Sequence, residues 1–513
     1  MTRTEKVAQS AAMIAIFTLI SKFLGFIREV LIASKYGSGY ETDTYFVAMT
    51  ATTILMTTLG ASLNTTLIPI FTEIEGRGGR KAKLKYLNNI LNMVFFITII
   101  LALLGFFLSP FVIKVLAKGF TGEQFELAVK LNRIGLPIVI FLGFTYVFSG
   151  YLHSSEIFGP PAIMGLPYNF VFIFFLFLLA DKRSIEGLML ASVVAASTQF
   201  LIQVPAIKHQ GYKYRVDINL KDPYLKKALI LVVPVMIGSA VQQINVVIDK
   251  TLASSLAEGS ISALTYASRL RDLIISVFIM AITTVVFPML SKAFSEEDNH
   301  QVKRIMGQGI NIILIITVPA TVGILILAEP MVRIFFQRGA FDSVATTMTS
   351  QALIFYSLGL VGASLRLMLN KVFYSFQDTK TPMINGALAV GLNIVLNLIF
   401  IRFMAHAGLA LATSISATFT TLLLFIDLRK KIGPMGLKRY LICFLKTLFA
   451  SIIMGILVYF LYYGLTAKFV SSGIGELLVL LLSVGVGVLV YFILCSILRV
   501  KEIRVLIRGL LNR

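Results

Sequence analysis

The sequence predicts an all-α integral membrane protein of about fourteen transmembrane helices. Three observations carry that reading. Of the 513 residues, 57% are hydrophobic and only 14% charged, with a mean hydropathy of +0.87; a soluble domain is about half apolar and a quarter charged. Apolar runs of about 20 residues, enough to cross roughly 30 Å of hydrocarbon, recur from end to end. Most Lys and Arg sit in short segments between these runs. That is the pattern of membrane topology, so the net charge of +21 does not point to nucleic acid.

The elements follow in chain order. The first run, α1 (11–34), begins at Ala11 and ends in charge without a small-residue cleavage site, so it reads as a retained helix and not a signal peptide. The next run, α2 (44–71), leads into the basic cluster Arg77–Lys85. Then come α3 (88–113), α4 (134–153), α5 (161–180) and α6 (187–207). The stretch "KHQGYKYRVDINLKDPYLKK" (208–227) is a cytoplasmic linker. Beyond it lie α7 (228–256), α8 (262–290), α9 (306–328) and α10 (347–375). After Lys380 come α11 (383–401) and α12 (407–426). The cluster Arg429–Arg439 separates these from α13 (440–463) and α14 (474–498). With Trp 0, any aromatic belt must rely on Tyr. Cys443 and Cys495 lie in apolar runs and suggest neither a disulfide nor a metal site.

Placing the N-terminus in the cytoplasm puts 27 Lys and Arg in inside segments and 11 in outside loops. That bias predicts two cytoplasmic termini and an even number of helices.

The chain also repeats itself. "LNTTLIPIFTEIEG" (63–76) parallels "ITTVVFPMLSKAFS" (282–295), matching Pro69 to Pro288. "LSPFVIKVLAKGF" (108–120) parallels "AEPMVRIFFQRGAF" (328–341), matching Pro110 to Pro330 and Gly119 to Gly339. "GYLHSSEIFGPPAI" (150–163) parallels "KVFYSFQDTKTPMI" (371–384), matching Pro161 to Pro382. The offset spans six helices, so both copies enter the membrane in the same direction. Such parallel repeats predict a substrate site between the two halves. The expected organisation is an N-lobe (1–207, α1–α6), a linker (208–227), a C-lobe (228–428, α7–α12) and a last segment (429–513) holding α13, α14 and the tail.

Charges inside the helices are the candidate site. The bases are Lys22, Arg28, Lys250, Arg269, Arg271, Arg366, Lys371 and Lys446. The acids are Glu29, Asp249 and Asp272, with Asp43 at a helix mouth. Each charge costs about 2.5–3.5 kcal/mol on insertion scales at mid-membrane. Lys446 lies near a helix end; without it, seven bases face three acids. That excess suits an anion, most simply a phosphate or diphosphate gripped by Arg. The structural alternative stays open: Arg269 and Asp272 share a helix face and can pair, and Arg28-Glu29 and Asp249-Lys250 can be ion pairs that hold helices.

A second group is polar. Asn393 and Asn397 share one face of α11, and Thr413 lies in α12. With Asp249 they suit a hard monovalent cation, or serve as interhelical hydrogen bonds. No Gly-rich phosphate loop marks an ATPase motor, and His153, His209, His300 and His406 are scattered. The pattern is that of a transporter and not an enzyme.

"SKFLGFIREVLIASKYGSGYETDTYFVA" (21–48), "LTYASRLRDL" (264–273), "FYSFQDTKTP" (373–382) and "HAGLALATSIS" (406–416) resemble the MurJ-type lipid II flippases, the mouse virulence factor family of the multidrug/oligosaccharidyl-lipid/polysaccharide exporter superfamily. The resemblance runs over nearly the whole chain. It implies a flippase of the bacterial inner membrane that carries lipid II, the undecaprenyl-diphosphate-linked peptidoglycan precursor, from inner to outer leaflet by alternating access. It implies membrane lipids and the cell-wall synthesis and division machinery as partners, and no nucleic acid. Substrate residues carry over onto Lys22, Arg28, Glu29, Asp43, Arg269 and Asp272, with Arg271 and Arg366 added from the charge count. A candidate sodium site falls on Asp249, Asn393, Asn397 and Thr413; no cofactor is required, and coupling would be to sodium or to the membrane potential. There is one departure. Many family members carry an Arg-Arg pair and an acid in α2, whereas "TATTILMTTLGASLNTTLIPIF" (50–71) has no charge.

Three rivals remain. The first is an exporter of another polyprenyl-diphosphate-linked glycan, with the same fold. A cation-coupled multidrug exporter would want an acidic, aromatic cavity. A membrane-embedded glycosyltransferase would want a catalytic acid or base in a large outside loop, and the outside loops here are short.

Overall fold

The computed structural model describes residues 3–180, 184–469, 473–500 and 502. Most of the basic tail that entered the orientation argument lies outside them. Two long helices, Tyr40–Leu116 and Lys380–Ile432, each contain one non-helical residue, Gly79 (φ 68°) and Ala405 (φ 47°). Divided there, the described residues form fourteen segments. The first seven are α1 (Arg3–Tyr36), α2 (40–78), α3 (80–116), α4 (Gly122–Ser154), α5 (Gly159–Leu178), α6 (Ile185–His209) and α7 (Pro223–Ala253). The rest are α8 (260–295), α9 (Asn299–Phe336), α10 (343–375), α11 (380–404), α12 (406–432), α13 (Leu437–Phe469) and α14 (Gly473–Ile497). Among the described residues, eight helices are long and apolar enough to cross a membrane, or ten if each of two bent pairs counts as one span.

The helices outrun their apolar stretches. The segments between α2 and α3 and between α11 and α12, expected as loops, are helical but for one residue each. Hydropathy marks where hydrocarbon ends, whereas Glu, Arg, Lys and Leu keep a helix going beyond it. Arg77 pairs with Glu73 one turn earlier, at 3.2 Å, in that extension. The second break is sharp. A Cβ on Gly408 would lie 2.7 Å from the Phe400 carbonyl oxygen, so only glycine lets α12 start against the end of α11.

The repeat is visible in the backbone. Pro69 and Pro110 lie inside their helices, as do Pro288 and Pro330. The aligned residues Glu156 and Gln377 both take positive φ, 58° and 56°, in the turns after α4 and α10. In the middle, α4 divides at Leu136, and α10 bends by 47° at Gly359.

The chain forms two compact units, 1–262 and 263–513. In the first, α7 lies along α3. Near one end the Tyr86 hydroxyl donates to the Tyr224 carbonyl (3.4 Å), and near the other Thr251 donates to the Val115 carbonyl (2.8 Å). A Cβ on Gly119 would sit 2.0 Å from the Ser254 carbonyl oxygen, so glycine is required where α7 closes on the α3–α4 loop. Packing thus groups α7 with the first unit, although the repeat pairs it with α1. In the second unit, α13 packs on α9, and the Tyr491 hydroxyl of α14 donates to the Ile315 carbonyl (2.8 Å). Tyr462, Tyr491 and Cys495 belong to that unit's buried core, so α13 and α14 are built into it.

The linker is strapped down. From α3, Asn88 donates to the Lys213 carbonyl (3.2 Å) and accepts from the Arg215 amide (2.9 Å). Asn89 donates to the Asn219 carbonyl (3.0 Å) and accepts from its amide (2.8 Å). Asn92 donates to the carbonyls of Arg215 and Asp217 (3.0 and 3.1 Å) and accepts from the Tyr214 hydroxyl (2.8 Å). Side-chain amides here do for an extended strand what a neighbouring strand would do. Asn92→Ala removes three such bonds, each contributing about 0.5–1.5 kcal/mol. Trypsin should then cut at Lys213, Arg215 and Lys221 at least about tenfold faster, because local opening becomes easier. An unchanged cleavage rate would show that the strap is held by something else.

Candidate functional site: charges in the membrane helices

In the first unit the expected charges are closely partnered. Arg28 on α1 holds Glu29 at 2.7 Å and donates to Asn169 Oδ1 on α5 at 3.2 Å. Its guanidinium carbon lies 5.4 Å from the Tyr168 ring centre and 5.1 Å from that of Phe172. Asn169 donates in turn to the carbonyls of Ser21 (3.1 Å) and Gly165 (2.8 Å). A carboxylate, an amide and two ring faces thus surround a side chain that is 16% exposed, which offsets the burial of its charge. Lys22, further along α1, is exposed.

Asp43 is buried at 3% exposure. It accepts from the Gly259 amide (2.8 Å), the Ser262 amide (2.7 Å) and the Ser262 hydroxyl (2.7 Å). These are donors at the start of α8, where unpaired amides and the helix dipole favour a carboxylate. Asp249 on α7 accepts from Asn245 at 3.3 Å, and Lys250 lies over the Phe46 ring at 5.7 Å.

The second unit is arranged differently. On α8, Arg271 Nε and Nη2 both donate to Asp272 Oδ1, at 3.0 and 2.8 Å, and its guanidinium sits 4.7 Å from the Tyr356 ring centre. Arg269, on the same helix, is exposed. Arg366 on α10 is half-buried. Among the described residues no acid pairs with Arg366. Lys371 Nζ lies 5.1 Å from the Phe287 ring centre. Directly after Asp272, residues Ile275–Ile279 form a π-helical turn, a feature frequent at functional sites. Further on, α8 bends by 44°.

Asn393 and Asn397 are buried on α11, and Asn397 Nδ2 donates to Asn393 Oδ1 at 2.9 Å. The Thr413 hydroxyl donates to the Leu409 carbonyl at 3.0 Å, which leaves its oxygen lone pairs available. Among the described residues no three of His, Cys, Asp and Glu gather as a metal cluster. An ion on these side chains would therefore be held largely by neutral oxygens, which fits sodium better than a transition metal.

The motif around Asp378 has a structural place in the turn before α11. Asp378 accepts from Lys431 (2.7 Å), from the Thr381 amide (3.0 Å) and from the Thr381 hydroxyl (2.9 Å). Burial pushes the carboxyl up, but the bonds from Lys431 and Thr381 outweigh it and hold it at about 2. Because the folded value is depressed, this contribution is full above the ordinary carboxylate range and is lost as pH falls toward 2.

Sequence reasoning passed over the partners: Asn169, Tyr168, Phe172, Tyr356 and Ser262. Asn169 alone left a trace, as the one amide in the apolar run "GLPYNFVF".

The family described as lipid II flippase MurJ matches residues 32–480. The chain is similar to the lipid II flippase MurJ of Burkholderia cenocepacia, 31% identical over 81% of this chain and 82% of that one. It is 29% identical to the probable lipid II flippase MurJ of Vibrio cholerae over 98% of each. A solved lipid II flippase MurJ in an inward closed conformation superposes with a TM-score of 0.79 at 27% identity, covering 95% of this chain and 99% of that one. An inward-facing multidrug resistance MATE family transporter superposes at 0.70 and 16% identity over 82% and 98%, a likeness of fold alone.

Asp43→Ala should strand three buried donors and destabilise the protein by about 1–3 kcal/mol, read as a lower Tm in detergent. Asp43→Asn should fall in between, since one face of the amide donates where an acceptor is needed. A wild-type Tm for Asp43→Ala would free this carboxylate for a role toward substrate.

Proposed function

The chain belongs to the lipid II flippase MurJ family, and from that premise we propose that it carries lipid II from the inner to the outer leaflet of the bacterial cytoplasmic membrane by alternating access, to supply cell-wall synthesis. It is a transporter, and we read it as having no catalytic step of its own. Both termini are placed in the cytoplasm on the positive-inside bias. Contact with the cell-wall synthesis and division machinery belongs to the same reading.

The observation that carries the anion-binding part is Arg366. A guanidinium half-buried in a membrane helix, with no acid paired to it among the described residues, is an arrangement a diphosphate relieves. Arg271 brings a second fork, already oriented by Asp272 and Tyr356. Arg269 and Lys371 lie on the same two helices. Arg28 and Glu29 form a neutral unit, and their part is to hold α1 on α5. The exposed apolar faces of α13 and α14, among them Phe449, Phe460 and Leu489, suit a polyprenyl tail that stays in lipid.

The test is rescue of a strain depleted of its own lipid II flippase. Wild type should restore growth. Arg366→Ala and Arg271→Ala should each lose one charge-assisted contact, about 1.5–3 kcal/mol or roughly 10- to 150-fold in affinity. Lys at either position should give a partial defect, keeping the charge and losing the fork. If adding Asp272→Ala restores Arg271→Ala fully, Arg271 serves folding and not substrate. Failure of the wild type to rescue, with normal membrane levels, would favour a different polyprenyl-diphosphate-linked glycan.

Coupling to sodium is proposed on the oxygen chemistry of Asp249, Asn393, Asn397 and Thr413. A ligand that binds only the folded state raises its stability by mass action. The Tm in detergent should therefore be higher in sodium than in potassium, and Asp249→Ala should erase the difference. Equal melting in both salts would assign these side chains to helix packing.

A further inference from the structure

Within the first unit, the inner ends of α3, α4 and α6 and the strapped linker line a half-open cavity of about 720 Å³, in the range of about 300–1,000 Å³ usual for small-molecule sites. It is separate from the membrane charges described above. One wall is a continuous run of aromatic rings. Phe95 stacks on Phe144 (5.7 Å), Phe144 meets Phe200 (5.1 Å), Phe200 meets Phe148 (5.1 Å), and Phe148 meets Tyr212 of the linker (6.2 Å, edge-on). Phe95 is 37% exposed on α3, so the wall continues to the outer surface of the helix bundle. At the other end the lining includes Lys208 and Lys213, both exposed. The roof is fixed, because Asn92 and Tyr214, which both line the cavity, are hydrogen-bonded to one another.

The chemistry grades in one direction, from aromatic surface on a membrane helix to the cationic side chains of Lys208 and Lys213 on the cytoplasmic linker. Such a gradient matches an amphiphile with an anionic head at the cytoplasmic interface, where basic residues attract acidic lipids. The Tyr212 hydroxyl is buried without a hydrogen-bond partner among the described residues; such groups are uncommon, and a bound ester or water would satisfy it.

We propose that this cavity holds one anionic phospholipid of the cytoplasmic leaflet, with its phosphate at Lys208 and Lys213 and an acyl chain along the Phe95–Phe144–Phe200–Phe148 wall. The bound lipid ties the linker to α3, α4 and α6. The proposal rests on the cytoplasmic placement of the linker and not on the identity of the transported lipid, so a failure of one leaves the other standing.

The chain has Trp 0, so a single introduced tryptophan reports on one place. Full-length Phe200→Trp would be placed in phosphatidylcholine nanodiscs containing a small fraction of lipid brominated on the acyl chain. Brominated phosphatidylglycerol should quench the tryptophan at far lower mole fraction than brominated phosphatidylcholine. In the same background, Lys208→Gln and Lys213→Gln should each reduce that preference about fivefold, the factor for about 1 kcal/mol per basic residue at an anionic leaflet, and the pair together about 25-fold. Phe107→Trp, on the exposed outer face of α3, should show no headgroup preference. Phe144→Trp repeats the measurement should Phe200→Trp fold poorly. Equal quenching by the two lipids at both cavity positions would overturn the proposal. So would a preference that survives the double lysine variant, or one that Phe107→Trp shares.

Discussion

A charge in hydrocarbon must meet a counter-charge or a ligand, and much of this structure follows from that constraint. Insertion of one guanidinium costs about 2.5–3.5 kcal/mol even on lenient scales. The first unit meets the constraint by using charges as rivets. Arg28 with Glu29 and Asn169 fastens α1 to α5. Asp43 fastens α2 to the first turn of α8. Outside the hydrocarbon the same device recurs: Lys83, fully buried in the basic segment at the α2–α3 break, is held by Glu75 (2.6 Å), Ser155 (2.7 Å) and the face of Tyr151. The second unit leaves Arg366 half-buried with no acid paired to it among the described residues, and the proposed anion-binding role rests on that difference.

Duplication shows in the prolines and not in the bends. Proline inside a helix removes one main-chain bond, and Pro69 and Pro110 lie inside helices in the first copy as Pro288 and Pro330 do at the aligned places in the second, whereas the recorded bends fall between Ile279 and Ile282 and at Gly359. Once duplicated, the copies diverged in what the bends carry. In α10 the division at Gly359 comes between Tyr356, which stacks on Arg271, and Arg366. A Cβ on Gly359 would meet Ser414 Cα at 2.5 Å, so the bend is also where α12 comes closest.

The helix count and the repeat were legible because apolar length and proline spacing are local signals. Helix ends were not, since hydropathy reports the hydrocarbon boundary and α2 and α9 continue well past it. Charged site residues were legible for the same reason that they are costly: each stands out against an apolar run. Their partners were hidden. Asn169 lies 141 residues from Arg28, and Ser262 lies 219 residues from Asp43. Neutral Asn, Ser and Tyr are ordinary in membrane helices. Asp43 and Arg28 carry the same family resemblance as Arg269 in the sequence, yet only geometry shows that their carboxylate and guanidinium also join one helix to another.

The uncharged stretch of α2 then acquires a physical meaning. Its hydroxyls are spent on their own helix. Thr50 donates to the Phe46 carbonyl (2.8 Å), Thr53 to Met49 (2.6 Å), Thr57 and Thr58 to Ile54 (2.9 and 3.2 Å) and Ser62 to Thr58 (2.9 Å). A hydroxyl has one proton, so after this bond it offers only lone pairs. A phosphate needs donors or positive charge, and these hydroxyls supply neither. Acceptor oxygens suit instead the hydroxyl and amide protons of a glycan or peptide. On the proposed reading, recognition of the diphosphate then falls on guanidinium and ammonium groups of other helices, the role proposed for Arg366 and Arg271, while the polar work left to α2 is of the opposite hydrogen-bonding sense.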